Sequence, residues 1–213
     1  MASKRAVLWD MDGVLVDSGE LHYQSWLETL TALSIPFDRE KFRLTFGMNN
    51  ASILTVLTGR PSEADFLEMV SDQKESRFRA MIHGRLQLLP GVLPWLSRLH
   101  ELGYLQAVAS SAPQANIDAV VDELGIRRYF SALISAHALP GKPDPAVFHE
   151  AARQLGVMPE QCVVVEDAVA GVAAAKRAGM KCIAVTTTHP RSALSTADMV
   201  VDSLEALVAG AFD

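Results

Sequence analysis

The sequence has few cysteines, no long apolar run and no excess of positive charge, and each shortage excludes a class of protein. Two cysteines in 213 residues are too few for the disulfide framework of a secreted domain. No segment approaches the roughly 20 apolar residues of a membrane-spanning helix. Lysine and arginine number 19 against 25 acidic residues, so the net charge is −6. This balance disfavours nucleic acid and anionic membranes as partners.

The cysteines and the N-terminus indicate the compartment. Cys162 and Cys182 each lie in a short apolar run, which predicts buried thiols in neighbouring strands. The basic first five residues precede an apolar stretch, as in an export signal. However, Asp10 and Asp12 interrupt that stretch before it reaches export length. We therefore expect a cytoplasmic protein.

Short apolar runs alternate with helical patterns along most of the chain. Runs without polar–apolar alternation are typical of parallel strands that helices cover on both faces. These runs are Ala6–Trp9, Leu105–Ala109, Val163–Val165 and Cys182–Val185, with weaker ones at Ala132–Ser135 and Met199–Val201. The helical patterns are Val92–Leu102, Pro113–Leu124, Ala146–Leu155 and Ala168–Ala178. This order predicts an α/β fold with a doubly wound, Rossmann-like parallel sheet.

Residues 18–85 lack a convincing strand. Apolar residues at helical spacing predict one amphipathic helix there, namely Leu21, Trp26, Leu30 and Leu33. Asp65–Met81 predicts another, with a charged outer face. A helical block inserted after the first strand is best interpreted as a cap above the carboxyl ends of the strands. We expect a core of residues 1–17 and 86–213, a helical cap domain of residues 18–85, and hinges near Asp17–Gly19 and Arg85–Gly91.

Acidic residues directly follow two of the predicted strands. Asp10 ends the first strand and Asp12 follows two residues later, just before Gly13. Glu166 and Asp167 directly follow the run of valines. Carboxylates crowded at one sheet edge need a counter-ion, because like charges raise each other's pKa. A ligand set of oxygens without histidine or cysteine favours a hard ion such as Mg²⁺.

The alternative is that single acids or hydroxyls only cap helices. Asp17, Ser18 and Asp167 are each suited to an N-cap position. Two acidic pairs at two buried strand ends favour the metal site instead.

A hydroxyl and a lysine complete a set suited to phosphoryl transfer. Ser110 follows the strand Leu105–Ala109, where its hydroxyl can bind a phosphoryl oxygen. Lys142 lies in Gly-Lys-Pro-Asp-Pro, a loop that glycine and prolines hold rigid. Fixed positive charge stabilises a transferring phosphoryl group. Taken alone, Ser110 is more often a cap and Lys142 a solvated surface charge.

In order and spacing, these segments resemble the haloacid dehalogenase-like (HAD) hydrolase superfamily, in the branch of the β-phosphoglucomutase-like phosphatases with a small helical cap. The motifs are Asp10–Ser18, Ser110, Lys142 and Val164–Gly171. The resemblance implies that Asp10 is the nucleophile, Asp12 the general acid–base, and Ser110 and Lys142 the phosphate-binding residues. It also implies Mg²⁺ bound by Asp10, the Asp12 main-chain carbonyl, Glu166 and Asp167. Dehalogenases of the superfamily lack an acid at position 12, so Asp12 favours phosphoester chemistry.

The cap segment bears on whether the chain is a phosphatase or a mutase. His22 and Trp26 match positions of the mutase branch, although a histidine on an amphipathic helix is often a packing residue. The mutases carry a lysine and an arginine where this chain has Phe46 and Asn50. A mutase must hold the second phosphate of a bisphosphate, for which a guanidinium is suited. This difference favours a phosphatase, although other arginines in the cap leave a mutase open.

Specificity is expected from the cap loop, whose candidate residues are Phe46, Gly47, Met48, Asn49 and Asn50.

A receiver domain of a signalling relay also combines acids, a hydroxyl and a lysine, but it lacks a cap and a closely spaced pair like Asp10 and Asp12. The resulting hypothesis is a Mg²⁺-dependent phosphatase of a small phosphorylated metabolite such as a sugar phosphate, with a β-phosphoglucomutase-like mutase as the alternative. A small enzyme with its own cap can work as a monomer. The net charge of −6 and the acidic cluster would repel an anionic substrate. A bound Mg²⁺ would offset this repulsion at the site.

Overall fold

The computed structural model describes residues 5–208 and 210–212. Residues 1–4, most of the basic start discussed above, lie outside the described part. The chain divides into two compact units, Met1–Asp17 with Gln87–Asp213, and Ser18–Leu86. A search of the described residues finds no helix that is both long and apolar enough to cross a membrane.

The first unit contains a six-stranded parallel sheet with the order β3-β2-β1-β4-β5-β6. The strands are β1 (Ala6–Trp9), β2 (Leu105–Ser110), β3 (Ala132–Ser135), β4 (Cys162–Glu166), β5 (Lys181–Val185) and β6 (Met199–Val201). The chain runs outward from β1 first in one direction and then in the other. Parallel sheets bind ligands at such a switch point. The predicted doubly wound fold is confirmed, including its two weaker strands.

Helices connect these strands and form the second unit. The second unit contains α1 (Gly19–Ala32), α2 (Arg39–Thr45), α3 (Asn50–Thr58) and α4 (Ala64–Met81). The first unit contains α5 (Val92–Glu101), α6 (Gln114–Glu123), α7 (Ala146–Leu155) and α8 (Val169–Arg177). The helices predicted between the strands are therefore confirmed to within one residue at each end. The short helices α2 and α3 were not predicted.

Both faces of the sheet are buried, which explains why its strands lack polar–apolar alternation. Leu8 of β1 belongs to a cluster with α7 and α8, whereas the next residue, Trp9, is equally buried on the opposite face. The indole of Trp9 donates to Gln106 Oε1 at 3.0 Å, and Gln106 Nε2 donates to the Leu96 carbonyl of α5 at 2.9 Å. The buried amide therefore keeps its hydrogen bonds.

The two cysteines lie in neighbouring strands, as predicted. Cys162 begins β4 and Cys182 lies in β5, and both are buried free thiols. Burial raises the pKa of the Cys162 thiol to about 11. Such thiols stay protonated and act as small apolar side chains.

The second unit has its own apolar core, formed by Trp26, Leu30, Ile53, Leu54 and Val70. The predicted helix over Asp65–Met81 is confirmed as α4.

The charged outer face predicted for α4 does not include Lys74 and Glu75, which are buried. Lys74 shares the face of Val70 and Phe78, since side chains four residues apart lie on the same side of a helix.

Candidate active site

Asp10 lies immediately after β1, at the carboxyl edge of the sheet. Its amide donates to the Val165 carbonyl at 3.0 Å, which holds it against β4. Its side chain is buried, and Oδ1 accepts a hydrogen bond from Lys142 Nζ at 2.5 Å. The residue predicted to be the nucleophile is therefore already paired with the predicted phosphate-binding lysine.

Lys142 connects several of the predicted site residues. Its ammonium also donates to Glu166 Oε1 at 2.6 Å and lies 3.4 Å from the carbonyl of Ala109 in β2. The side chain is only 9% exposed. Burial by itself would lower the pKa of Lys142, but Asp10 and Glu166 together raise it above its ordinary value. The loop therefore supplies a permanent cation.

Glu166 is held by backbone groups as well as by the lysine. Its Oε2 accepts hydrogen bonds from the amides of Asp167 and Ala168 at 2.8 and 2.9 Å. Gly171, in the first turn of α8, lies directly against this carboxylate, and a Cβ there would overlap it. The strand end and the following helix thus fix the orientation of Glu166.

Carboxylate oxygens of Asp10, Glu166 and Asp167 all lie within 4.8 Å of one another, and the three residues are buried. This oxygen-only donor set fits a hard divalent ion. Burial, together with neighbouring acids, raises the pKa of Asp10 to about 7 and that of Asp167 to about 8 from an ordinary value of 3.8. A bound cation would favour the ionised forms.

The alternative of simple helix capping finds no support at Ser18 or Asp167. Ser18 occupies the N-cap of α1, but its side chain makes no capping hydrogen bond. The N-cap of α8 is Ala168, not Asp167. Asp17 precedes the N-cap of α1.

Asp12, Gly13 and Ser110 lie at the same edge of the sheet as the acidic cluster, after β1 or at the end of β2. The charge of Asp12 contributes to the raised pKa of Asp10. Gly13 has a φ of +84°, and a Cβ at this position would overlap Asp167 Oδ2. Ser110 ends β2, next to β1, and its buried hydroxyl accepts a hydrogen bond from the Ala112 amide at 3.1 Å.

The second unit contains another polar cluster, in which Lys74 and Glu75 are buried and His22 and Asn50 are half-buried. Lys74 Nζ lies 2.9 Å from His22 Nδ1 and donates to Glu75 Oε1 at 3.0 Å. Asn50 Nδ2 donates to the same Glu75 oxygen at 3.0 Å. Burial acts to raise the pKa of Glu75, but Lys74, then Asn50 and His22, bring it below its ordinary value. The His22 ring also stacks on Phe78, with centroids 4.1 Å apart.

The other predicted cap residues lie in several environments. Trp26 is buried in the apolar core of the unit, and Phe46 packs against Phe42 with centroids 5.1 Å apart. Met48 is 44% exposed, after Gly47 with a φ of +85°. Asn49 is the N-cap of α3, and its side chain accepts from an amide of that helix. A role in specificity stays a prediction for these residues.

Sequence reasoning missed two polar groups. The first is the pair of Glu75 and Lys74, which the sequence analysis does not single out, although the four-residue spacing of Val70, Lys74 and Phe78 was the available signal. The second group is Thr188, whose hydroxyl contacts Asp167 at 2.6 Å. The sequence gives little indication of Thr188, because a threonine that follows a strand belongs to no characteristic motif.

A model of the haloacid dehalogenase-like hydrolase family matches residues 4–179. The chain therefore belongs to the haloacid dehalogenase-like hydrolases and is an enzyme. Among curated relatives, hexitol phosphatase B of Escherichia coli (strain K12) is 33% identical, over 96% of this chain and 94% of the relative. β-Phosphoglucomutase of Bacillus subtilis (strain 168) is 32% identical, over 92% and 88%.

A solved structure has the same fold. The crystal structure of CbbY from Rhodobacter sphaeroides in complex with phosphate aligns with a TM-score of 0.86 and 28% sequence identity. The alignment covers 96% of each chain. The resemblance expected from the four motifs is therefore confirmed.

Proposed function

We propose that this chain is a Mg²⁺-dependent phosphatase that hydrolyses a small sugar phosphate through an aspartyl-phosphate. The observation that carries the proposal is the contact of Lys142 with both Asp10 and Glu166, beside Asp167. A nucleophilic carboxylate, a fixed cation and an oxygen-only metal site are what phosphoryl transfer from a monoester requires.

In the first step the Asp10 carboxylate attacks phosphorus and the ester P–O bond breaks. Asp12 gives its proton to the leaving oxygen, so the product departs as an alcohol. In the second step Asp12 takes a proton from water, which attacks the phosphorus of the aspartyl-phosphate. Inorganic phosphate leaves and Asp10 is regenerated. Lys142 and the Ser110 hydroxyl bind the phosphoryl oxygens throughout.

Asp10, Glu166 and Asp167 would hold the Mg²⁺, with the Asp12 main-chain carbonyl as a further oxygen ligand. The ion supplies positive charge that offsets the acids and stabilises the charge on the phosphoryl oxygens. Lys142 alone cannot neutralise three buried carboxylates. We therefore expect substrate binding as well as turnover to require the metal.

The division into two units supports a core of residues 1–17 and 86–213 for the chemistry and a cap of residues 18–85 for specificity. The side chain of the cap residue Asn50 donates a hydrogen bond to Glu75. An amide is also a poorer phosphate ligand than a guanidinium. This chemistry favours hydrolysis over a mutase reaction. The names of the hexitol phosphatase and β-phosphoglucomutase relatives support a phosphorylated sugar or sugar alcohol as substrate.

The test measures phosphate release from a panel of sugar and sugar-alcohol phosphates, with Mg²⁺ or with a chelator. We expect Mg²⁺-dependent turnover that is lost in Asp10→Asn and retained in Asp202→Asn, a surface control bonded to Thr186 and Arg191. Turnover without metal, or full activity of Asp10→Asn, would contradict the mechanism. Interconversion of a sugar 1-phosphate and 6-phosphate that depends on a bisphosphate primer would identify a mutase instead.

A further inference from the structure

Thr188 and His189 contact Asp167 from the loop that follows β5. Thr188 Oγ1 lies 2.6 Å from Asp167 Oδ2 and 3.1 Å from the Asp167 carbonyl oxygen. His189 Nδ1 lies 2.9 Å from the Thr188 hydroxyl and 3.2 Å from the same carbonyl. None of the family motifs identified in the sequence includes this pair.

The number of hydrogens determines the direction of these bonds. A threonine hydroxyl has one hydrogen to donate and lone pairs to accept with. Asp167 Oδ2 is its nearest acceptor, and in the ionised form that binds a cation Asp167 has no hydrogen to donate, so the hydroxyl donates there. His189 Nδ1 must then carry a hydrogen and donate toward the Thr188 oxygen and the Asp167 carbonyl.

Asp167 Oδ2 is enclosed from a second side by Gly13. A Cβ at position 13 would overlap this oxygen and lie 3.2 Å from Thr188 Cγ2. The carboxylate thus lies between the backbone of the loop after β1 and the Thr188 hydroxyl. Thr188 itself is exposed, so its apolar packing contributes little to the core. The hydrogen bond is its main contact with the site.

We propose that Thr188 is a positioning residue that fixes the Asp167 carboxylate for metal binding, and that His189 holds the Thr188 hydroxyl in place. This inference rests on the proposed function, because it concerns the same metal. Side chains that hydrogen-bond a ligating carboxylate orient it before the ion arrives, and their loss weakens metal affinity about 10- to 100-fold.

The experiment measures Mg²⁺ binding directly, by titration calorimetry of the full-length protein without substrate. Thr188→Val keeps the shape of the side chain and removes the hydroxyl, whereas Thr188→Ser keeps the hydroxyl. Thr186→Val is the matched control, since that hydroxyl donates to the surface residue Asp202 at 2.9 Å. Tm without Mg²⁺ is recorded for each variant, together with phosphatase activity as a function of Mg²⁺ concentration.

We expect Thr188→Val to weaken Mg²⁺ binding about 10-fold, with Tm in the absence of metal unchanged. Saturating Mg²⁺ should restore most of kcat, and Thr188→Ser and Thr186→Val should bind Mg²⁺ like the wild type. Wild-type affinity in Thr188→Val would overturn the inference but leave the proposed function intact. Equal losses in Thr188→Val and Thr188→Ser would assign Thr188 a packing role. A wild-type protein that binds no Mg²⁺ would overturn the inference and the proposed metal together.

Discussion

Lys142 Nζ lies 2.5 Å from Asp10 Oδ1, although the two residues are 132 positions apart in the chain. The lysine reaches Asp10 from the loop before α7, where it also contacts Glu166. Its ammonium lowers the pKa of Asp10, opposing the larger effect of burial. Lys142 therefore offsets part of the negative charge of the metal-free site, and in the proposed mechanism it binds the phosphoryl group.

Replacing this lysine should abolish turnover. We expect Lys142→Met to reduce phosphate release by about 100-fold or more, because a fixed charge on the phosphoryl oxygens is lost. The control is Lys176→Met, which removes a surface pair with Asp198 at 2.7 Å and should leave kcat unchanged. Steady-state kinetics in the presence of Mg²⁺ measure kcat for both variants. Near-normal kcat in Lys142→Met would exclude a role for the ammonium in the transition state.

Gly13→Ala should damage the metal site more than the fold. Its φ of +84° makes alanine unfavourable by about 1–2 kcal/mol, and the added methyl group overlaps Asp167. Gly103→Ala is the matched control, because Gly103 has a φ of +78° with open space around its Cβ position. Both variants should lose similar stability in metal-free unfolding experiments. Only Gly13→Ala should lose Mg²⁺ binding, and equal binding by the two variants would contradict the steric argument.

Gly171→Ala should weaken Mg²⁺ binding, against the usual effect of this substitution. Alanine is favoured over glycine in a helix interior by about 1 kcal/mol, and Gly171 lies within α8. Here the methyl group would displace the Glu166 carboxylate from Lys142 and from the metal ligands. Calorimetric titration measures the Mg²⁺ affinity of this variant and of the wild type. A variant that is more stable and binds Mg²⁺ normally would show that Glu166 can move without loss.

The stabilisation by Mg²⁺ should grow as the pH rises. In the metal-free protein the pKa values of Asp10 and Asp167 are raised from 3.8 to about 7 and about 8. Their stabilising contribution is therefore present at low pH and lost as they ionise through that range. Mg²⁺ binds the ionised carboxylates and displaces protons.

We expect the Tm difference with and without Mg²⁺ to be larger at about pH 8.5 than at about pH 6. The pH dependence should flatten in Asp167→Asn, which cannot ionise there. A Tm difference that falls with pH would show that these two carboxyls do not govern metal binding.

Glu75 should matter for the stability of the second unit, Ser18–Leu86. Its carboxylate pairs with buried Lys74 and accepts from Asn50. Removing one partner of a buried ion pair costs about 3 kcal/mol, because the other charge stays buried. We expect Glu75→Gln to lower Tm by several degrees, whereas Glu150→Gln, which breaks the surface pair with Arg153, should change it little. Equal Tm values for the two variants would contradict this assignment.

Local patterns in the sequence predicted most of the fold. Apolar runs such as Ala6–Trp9 lie between helices on both faces, so their hydrophobicity is continuous and easily recognised. The same patterns predicted the helix α4 but not the burial of its ion pair, Lys74 with Glu75. Charged residues are normally solvated, and this buried pair has further polar partners from other parts of the chain. His22 contacts Lys74 and Asn50 donates to Glu75, and no local pattern connects these two residues to α4.

The sequence by itself determined which motif follows which strand, and hence which residues lie at the carboxyl edge of the sheet. A parallel sheet places the end of every strand at one edge, so Asp10, Ser110 and Glu166 share that edge, and the order of the strands brings them together. The tertiary structure decided which side chains from different loops contact one another. Lys142 bridges two carboxylates, Gly13 and Gly171 leave room for acids, and Thr188 holds Asp167. These contacts join segments far apart in sequence, and their geometry follows from packing, which no spacing of residues encodes.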